Sequence, residues 1–252
     1  MARYEMLNNI AHRDLKVATG FGQQFGDAVG MVPAYPSEFA ELQREYPIFL
    51  RRETGTEAWQ SVALLGFEQH ENLFLQDGRW NASYLPGAAA KGPFLIGFQE
   101  HYVDGLLTQD AVMHVDLDHP RVTDGGGEPV FLPQGGNTPY LDHIASVLRG
   151  IHEGSAFAAG MFTMLDDCGL IQPVTLDVQI AAHHRVSVSG LHGIDRERLA
   201  ALDSPRLAAL NRAGYLEGAY LMLASLHNMR RLIAEKQRRL RVQDGTAQAA
   251  RN

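Results

Sequence analysis

The residues closest to a chemical arrangement are His114 and Asp116, with Val115 between them and His119 nearby. Two positions apart on a strand, an imidazole and a carboxylate point to the same side. That spacing suits two ligands of a 2-His-1-carboxylate iron centre. A second histidine would come from His183, His184 or His192, on or beside a predicted hairpin. Arg185 would then hold a 2-oxoacid carboxylate through paired N–H donors. The set His114, Asp116 and His183 thus describes an Fe(II)/2-oxoacid-dependent oxygenase. The competing reading is structural. His-x-Asp arises often by chance in a chain with 11 histidines, and Asp118, just before His119-Pro120, suits a turn whose backbone it would bond. His183-His184 reads equally as a polar hairpin tip.

Other signatures fail their own tests. Gly20-Phe21-Gly22-Gln23-Gln24-Phe25-Gly26 has the look of a nucleotide loop, but its last glycine comes one residue late and Pro33 and Pro36 interrupt the helix that should follow. No Gly-x-Ser-x-Gly elbow occurs. Cys168, the one cysteine, sits beside Asp166 and Asp167 at a predicted helix C-terminus, a poor place for a nucleophilic thiolate. No catalytic residue and no cofactor is assigned, and the reading leans away from an enzyme.

Two surfaces suit a partner instead. Trp80 and Tyr84 lie in a Gly-, Ala- and Pro-containing segment, and Phe94 and Phe98 follow it. Aromatic rings on an irregular surface grip peptides well; they serve equally to plug the open end of a β-layer. The last helix carries Arg230, Arg231, Lys236, Arg238, Arg239 and Arg241, whose charges complement the negative helix end.

The elements that must position these groups come in two styles. Over residues 1–135 the chain reads as strands and loops, with strand candidates at 46–50, 59–67, 92–99 and 111–117 and one short helix capped by Ser37. Breaker clusters at 123–128 and 133–136 mark the boundary. Beyond it the pattern predicts a helix from Thr138-Pro139, divided in two by Gly150 and Gly154, then a hairpin over 171–191. Three helices follow, the last ending near Leu240, with 241–252 as a frayed tail. The expected fold is α+β, a β-rich, mostly antiparallel N-terminal part (1–135) packed in one compact domain with a helical part (136–240) that carries the hairpin.

Composition narrows the function classes. The chain has 252 residues, 45% hydrophobic and 20% charged, an ordinary balance for a soluble globule. The net charge of −7, from 22 basic and 29 acidic residues, argues against a general nucleic-acid binder. A single cysteine excludes an internal disulfide framework. The N-terminus lacks a signal-peptide pattern and no apolar run is long enough to span a bilayer, so a cytoplasmic location without membrane insertion is expected.

Several segments, in order, match a known pattern. They are Tyr46-Pro47-Ile48-Phe49, Asp77-Gly78-Arg79-Trp80-Asn81, Gly92 to Gln99, His114 to Val122, Gly127 to Phe131, Ser189 to Asp195 and Leu223 to Met229. Together they resemble the SapC family over about residues 4–240. The family takes its name from a bacterial surface-layer gene cluster. Members are found beside flavin-dependent halogenase-like enzymes and TonB-dependent receptors. The resemblance implies an accessory protein binding a peptide or protein partner, possible partners being those two classes. A halogenase-associated enzyme subunit is a further reading. It carries over no catalytic residue. Its pattern centres on Asp116, Asp118, Pro120, Arg121 and Val122, without His114. That makes Asp116, Asp118 and Arg121 a candidate partner surface, although Asp118 and Arg121 would serve equally by bonding each other or buried backbone.

Overall fold

The computed structural model describes residues 3–103, 106–181 and 184–249. In chain order the strands are β1 (Tyr4–Met6), β2 (Lys16–Val17), β3 (Met31–Pro33), β4 (Ile48–Arg52), β5 (Trp59–Leu64), β6 (Leu75–Gln76), β7 (Arg79–Trp80), β8 (Phe94–Val103), β9 (Leu106–Asp116), β10 (Val122–Thr123), β11 (Glu128–Pro129), β12 (Ile171–Ala181) and β13 (His184–Ile194). The helices are α1 (Phe39–Leu42), α2 (Gly87–Ala90), α3 (Pro139–Asp167), α4 (Arg196–Ala200), α5 (Ser204–Arg212), α6 (Tyr215–Ser225) and α7 (Met229–Ala249). All strand pairings are antiparallel. The α+β expectation is correct.

The chain divides into two interleaved compact units, 1–27 with 87–153 and 28–86 with 154–252. The glycine-rich loop at 123–136 is where strands give way to helix along the chain, but it lies inside the first unit. In that unit β1, β9 and β8 form one sheet and β10, β2 and β11 another. Val17, Phe94, Val115, Val130, Phe131 and the apolar stripe Leu141, Ile144 and Leu148 of α3 make its core. The second unit holds a five-stranded sheet in the order β12-β13-β4-β5-β3. Tyr46, Phe39, Phe49 and Phe162 are among its fully buried side chains.

The two helices expected on either side of Gly150 and Gly154 are one continuous helix, α3. An internal glycine costs a helix only about 1 kcal/mol, and good helix formers surround both positions. Gly154 has a further reason to be there: a Cβ would stand 2.7 Å from the Cβ of Tyr35. A Cβ at Gly150 meets nothing within 4 Å. Urea denaturation should therefore find Gly150→Ala more stable by about 0.5–1 kcal/mol. Gly154→Ala should be less stable by about 1–3 kcal/mol, because overpacking outweighs the gain in helix propensity.

The terminal helical region differs in two places from its sequence pattern. A 3₁₀ turn, Leu226–Asn228, separates α6 from α7, and α7 continues to Ala249, beyond Leu240. The turn is where side chains fasten the helices to the sheet. Ser225 Oγ accepts from the Ile48 amide at 2.9 Å, and Asn228 Nδ2 donates to the carbonyls of Gln43 and Tyr46. These residues fall in the Leu223–Met229 segment that contributed to the resemblance.

Candidate functional site

Arg121, expected on a partner surface, is only 4% exposed. The turn from Asp116 to Arg121 delivers it to the interior. Asp116 Oδ1 accepts from the Asp118 amide at 3.1 Å and from the Arg3 amide at 3.2 Å, and His119 Nδ1 accepts from the Arg121 amide at 3.1 Å. Arg121 Nη2 then meets both carboxylate oxygens of Asp27 at 2.8 Å, while Nη1 donates to the carbonyls of Ala18 and Gly20. Phe25 and Phe21 lie 4.7 and 5.2 Å from the guanidinium carbon. The glycine-rich segment 20–26, which failed the nucleotide-loop test, is thus the wrapping of a buried arginine. Asp118 remains exposed.

Around this turn burial decides the charge states. Desolvation, aided by the Arg121 charge, holds the His119 imidazole below its usual pKa, which suits its role as an acceptor. Burial likewise lowers the Lys91 ammonium, against the opposing pull of Asp116. His114 sits in β9 opposite Leu95 and Met6. Its ring lies where a side chain at Gly97 would go, and its Nδ1 is buried without a hydrogen-bond partner in the protein. Among the described residues no group of three or more His, Cys, Asp or Glu could hold a metal ion. His183, the third member of the oxygenase set, lies outside the described residues.

Trp80 and Tyr84 are engaged internally. Trp80 Nε1 donates to the Tyr46 hydroxyl at 2.7 Å, and that hydroxyl donates to the Tyr84 carbonyl at 2.5 Å. The Tyr84 hydroxyl donates to Glu38 Oε2 at 2.9 Å. Burial and nearby carboxylates push the Tyr84 phenol well above its usual range, so it stays a donor. Glu45 accepts from the Ser83 and Tyr84 amides and pairs with Arg231 at 2.8 Å. Although burial pushes the Glu45 carboxyl up, Arg231 and the two amides hold it below the usual carboxylate range. The aromatic segment is thereby pinned to its own unit.

Several basic residues of α7 are similarly occupied rather than serving only the helix end. Lys236 reaches Glu68 and Glu71 at 2.6 Å each, and Arg239 donates to the carbonyls of Asn72, Leu73 and Leu75. A helix-dipole argument on the sequence could not show that the helix lies along this loop.

Two features remain open. The first is the β8–β9 ribbon. Phe94, Ile96, Phe98 and Tyr102 share one of its faces, because side chains alternate along a strand. Phe94 is buried in the core, so it too is no surface residue. Ile96 and Met113 pack against the same core, and Phe98 leans on His152 of α3 at 5.5 Å between ring centroids. Farther out the apolar face meets solvent, with Phe98 53% and Tyr102 75% exposed. β8 is the edge of its sheet. Beyond the residues that face β1, no third strand covers β9 among the described residues.

The second is a groove of about 580 Å3 in the other unit, between the second half of α3 and the β4–β5 hairpin. Ala158 and Ala159 form part of one wall and Phe162 part of the floor. At one end Arg52 stacks on Trp59, 3.5 Å from the ring centroid, and Trp59 Nε1 donates to Asp166 Oδ2 at 2.9 Å. Sequence reading missed this groove. Trp59 was visible only as the start of an apolar strand, and nothing local to it announces a helix more than 100 residues away.

The fold and these two surfaces define an α+β protein of antiparallel sheets with a helical C-terminal region. A family model described as SapC matches residues 7–232, and the chain belongs to the SapC family. Comparison with curated proteins and with solved structures gave no significant match. Among the described residues no helix is long and apolar enough to cross a membrane.

Proposed function

We propose that this SapC-family chain is a non-enzymatic accessory protein that captures an extended peptide segment of a partner in a bacterial surface-layer or outer-membrane uptake system. The cytoplasm is its proposed place of action. The supporting observation is the β8–β9 ribbon, a strand edge with no neighbouring strand among the described residues, beside exposed Phe98 and Tyr102. An extended peptide adds to such an edge through main-chain hydrogen bonds, while aromatic side chains supply apolar area and selectivity. The partner classes the family suggests are a flavin-dependent halogenase-like enzyme and a TonB-dependent receptor. Trp80, Tyr84, Phe94 and Arg121 support the frame in this reading, and Asp118 stays available at the surface.

Affinity capture from native extract, with partners identified by mass spectrometry, tests it. The double variant Phe98→Ser, Tyr102→Ser should recover about tenfold less of the partner than the parent chain, since exposed aromatic anchors carry much of such binding energy. Equal recovery by a folded double variant would remove the ribbon from consideration.

A further inference from the structure

The groove beside α3 holds a cation of its own, and the way it is held points to what else could bind there. The charged side chains lining it are Glu53, Asp166 and Asp167 against Arg52 alone. The Arg52 guanidinium lies over the Trp59 indole at 3.5 Å, and its Nη2 is 3.4 Å from Asp166 Oδ2. A planar guanidinium stacked on an indole with a carboxylate at its edge is a general way of recognising arginine. Here the arginine comes from the rim of the groove itself. Its side chain is 42% exposed, and besides Asp166 it is tied to the Glu57 carbonyl, to which Nη1 donates at 2.9 Å, so its hold on the subsite rests on exposed contacts that water can replace. The Trp59–Asp166 bond at 2.9 Å does not depend on Arg52, so indole and carboxylate stay aligned when it leaves.

The rest of the groove is roomier than one side chain requires. Its volume, about 580 Å3, is that of a small-molecule site. Ala158 and Ala159 leave space along the helix wall for a peptide backbone. Tyr35 lines the groove as well, its phenol raised by burial and by the Glu38 charge, so its hydroxyl remains a hydrogen-bond donor.

We propose that this groove binds an arginine side chain of a peptide partner on Trp59 and Asp166, and that Arg52 occupies the subsite until displaced. The proposal does not depend on the β8–β9 ribbon. Arginine is favoured over lysine because the stacked group must be flat and the Asp166 carboxylate meets its edge.

The test uses the full chain and the blocked peptide acetyl-Ala-Arg-Ala-amide, with its citrulline analogue as an isosteric uncharged control, titrated by calorimetry. Arg52→Ala should bind the arginine peptide about tenfold tighter than the parent chain, the combined effect of one stacked cation and one exposed ion pair. Citrulline should bind about tenfold more weakly than arginine, and adding Asp166→Asn to Arg52→Ala should abolish the gain. Arg52→Gln, which keeps a polar side chain at the hairpin, should repeat the Arg52→Ala result. Phe98→Ser, Tyr102→Ser should bind the peptide like the parent, which separates this site from the ribbon. If folded Arg52→Ala and Arg52→Gln bind no tighter than the parent, show no saturable binding, or fail to distinguish arginine from citrulline, Arg52 is a structural strap and the proposal falls.

Discussion

Arg121→Met is expected to destabilise the unit formed by residues 1–27 and 87–153 by about 3–5 kcal/mol, the usual cost of removing one partner from a buried ion pair. The arginine satisfies both oxygens of Asp27 at 2.8 Å and two main-chain carbonyls. Methionine fills similar volume but offers none of those donors. Asp27 would keep the Gly22 amide at 2.8 Å but lose the charged guanidinium that neutralises it, at a site where its side chain is 8% exposed. The double variant Arg121→Met, Asp27→Leu should recover much of the loss, because replacing both charges removes the uncompensated one. Added salt should change the Arg121→Met deficit little, since screening acts weakly on buried pairs. Urea denaturation followed by amide exchange at Val17 and Val115 reads the effect. A deficit below about 1 kcal/mol would mean that the pair does not hold this unit together.

Lys236→Met should cost about 2–3 kcal/mol, somewhat less than a fully buried pair because Glu68 is half exposed. Burial opposes the Lys236 charge, but the hydrogen bonds it donates to Glu68 and Glu71 more than offset this and raise the ammonium above its usual value. The Lys236 hydrogen bond holds the Glu68 carboxyl below its usual value. Linkage then fixes both ends of the pH dependence. The Glu68 contribution is present above the ordinary value of 4.5 and is lost as pH falls through the lowered one. The Lys236 contribution is present below 10.5 and is lost as pH rises through the raised one. Lys236→Met should therefore flatten the parent chain's loss of stability toward acid. Denaturation curves from pH 3 to 7, taken as about one point per half unit, would show it. Parallel curves for parent and variant would mean that the clamp carries no proton linkage.

The sequence made the elements legible where period and caps are local. The strand pattern of Trp59 onward, strands around Phe94 and Val115, and the hairpin after Ile171 appear as expected, whereas the pairing of the middle two and their extension to Val103 and back to Leu106 as one ribbon do not show in the sequence pattern. Asp195, an N-cap residue type just before a helix, caps α4 by accepting from the Glu197 and Arg198 amides at 3.0 Å. Gly150 and Gly154 misled, because a helix tolerates glycine when its neighbours favour the helix. The aromatic residues misled for another reason. Trp80, Tyr84 and Phe94 look alike in sequence to Phe98, and only their partners separate them.

What the sequence by itself determined is the α+β composition, the order of elements and the family, because each rests on short-range patterns repeated along the chain. The tertiary structure decided which charged and aromatic groups are left for other molecules. Arg121 finds Asp27 across 94 residues, Lys236 finds Glu68 across 168, and Trp59 finds Asp166 across 107. Side chains of these types suit a surface or an interior equally. Their role is set by desolvation and by partners that only the folded chain brings within reach.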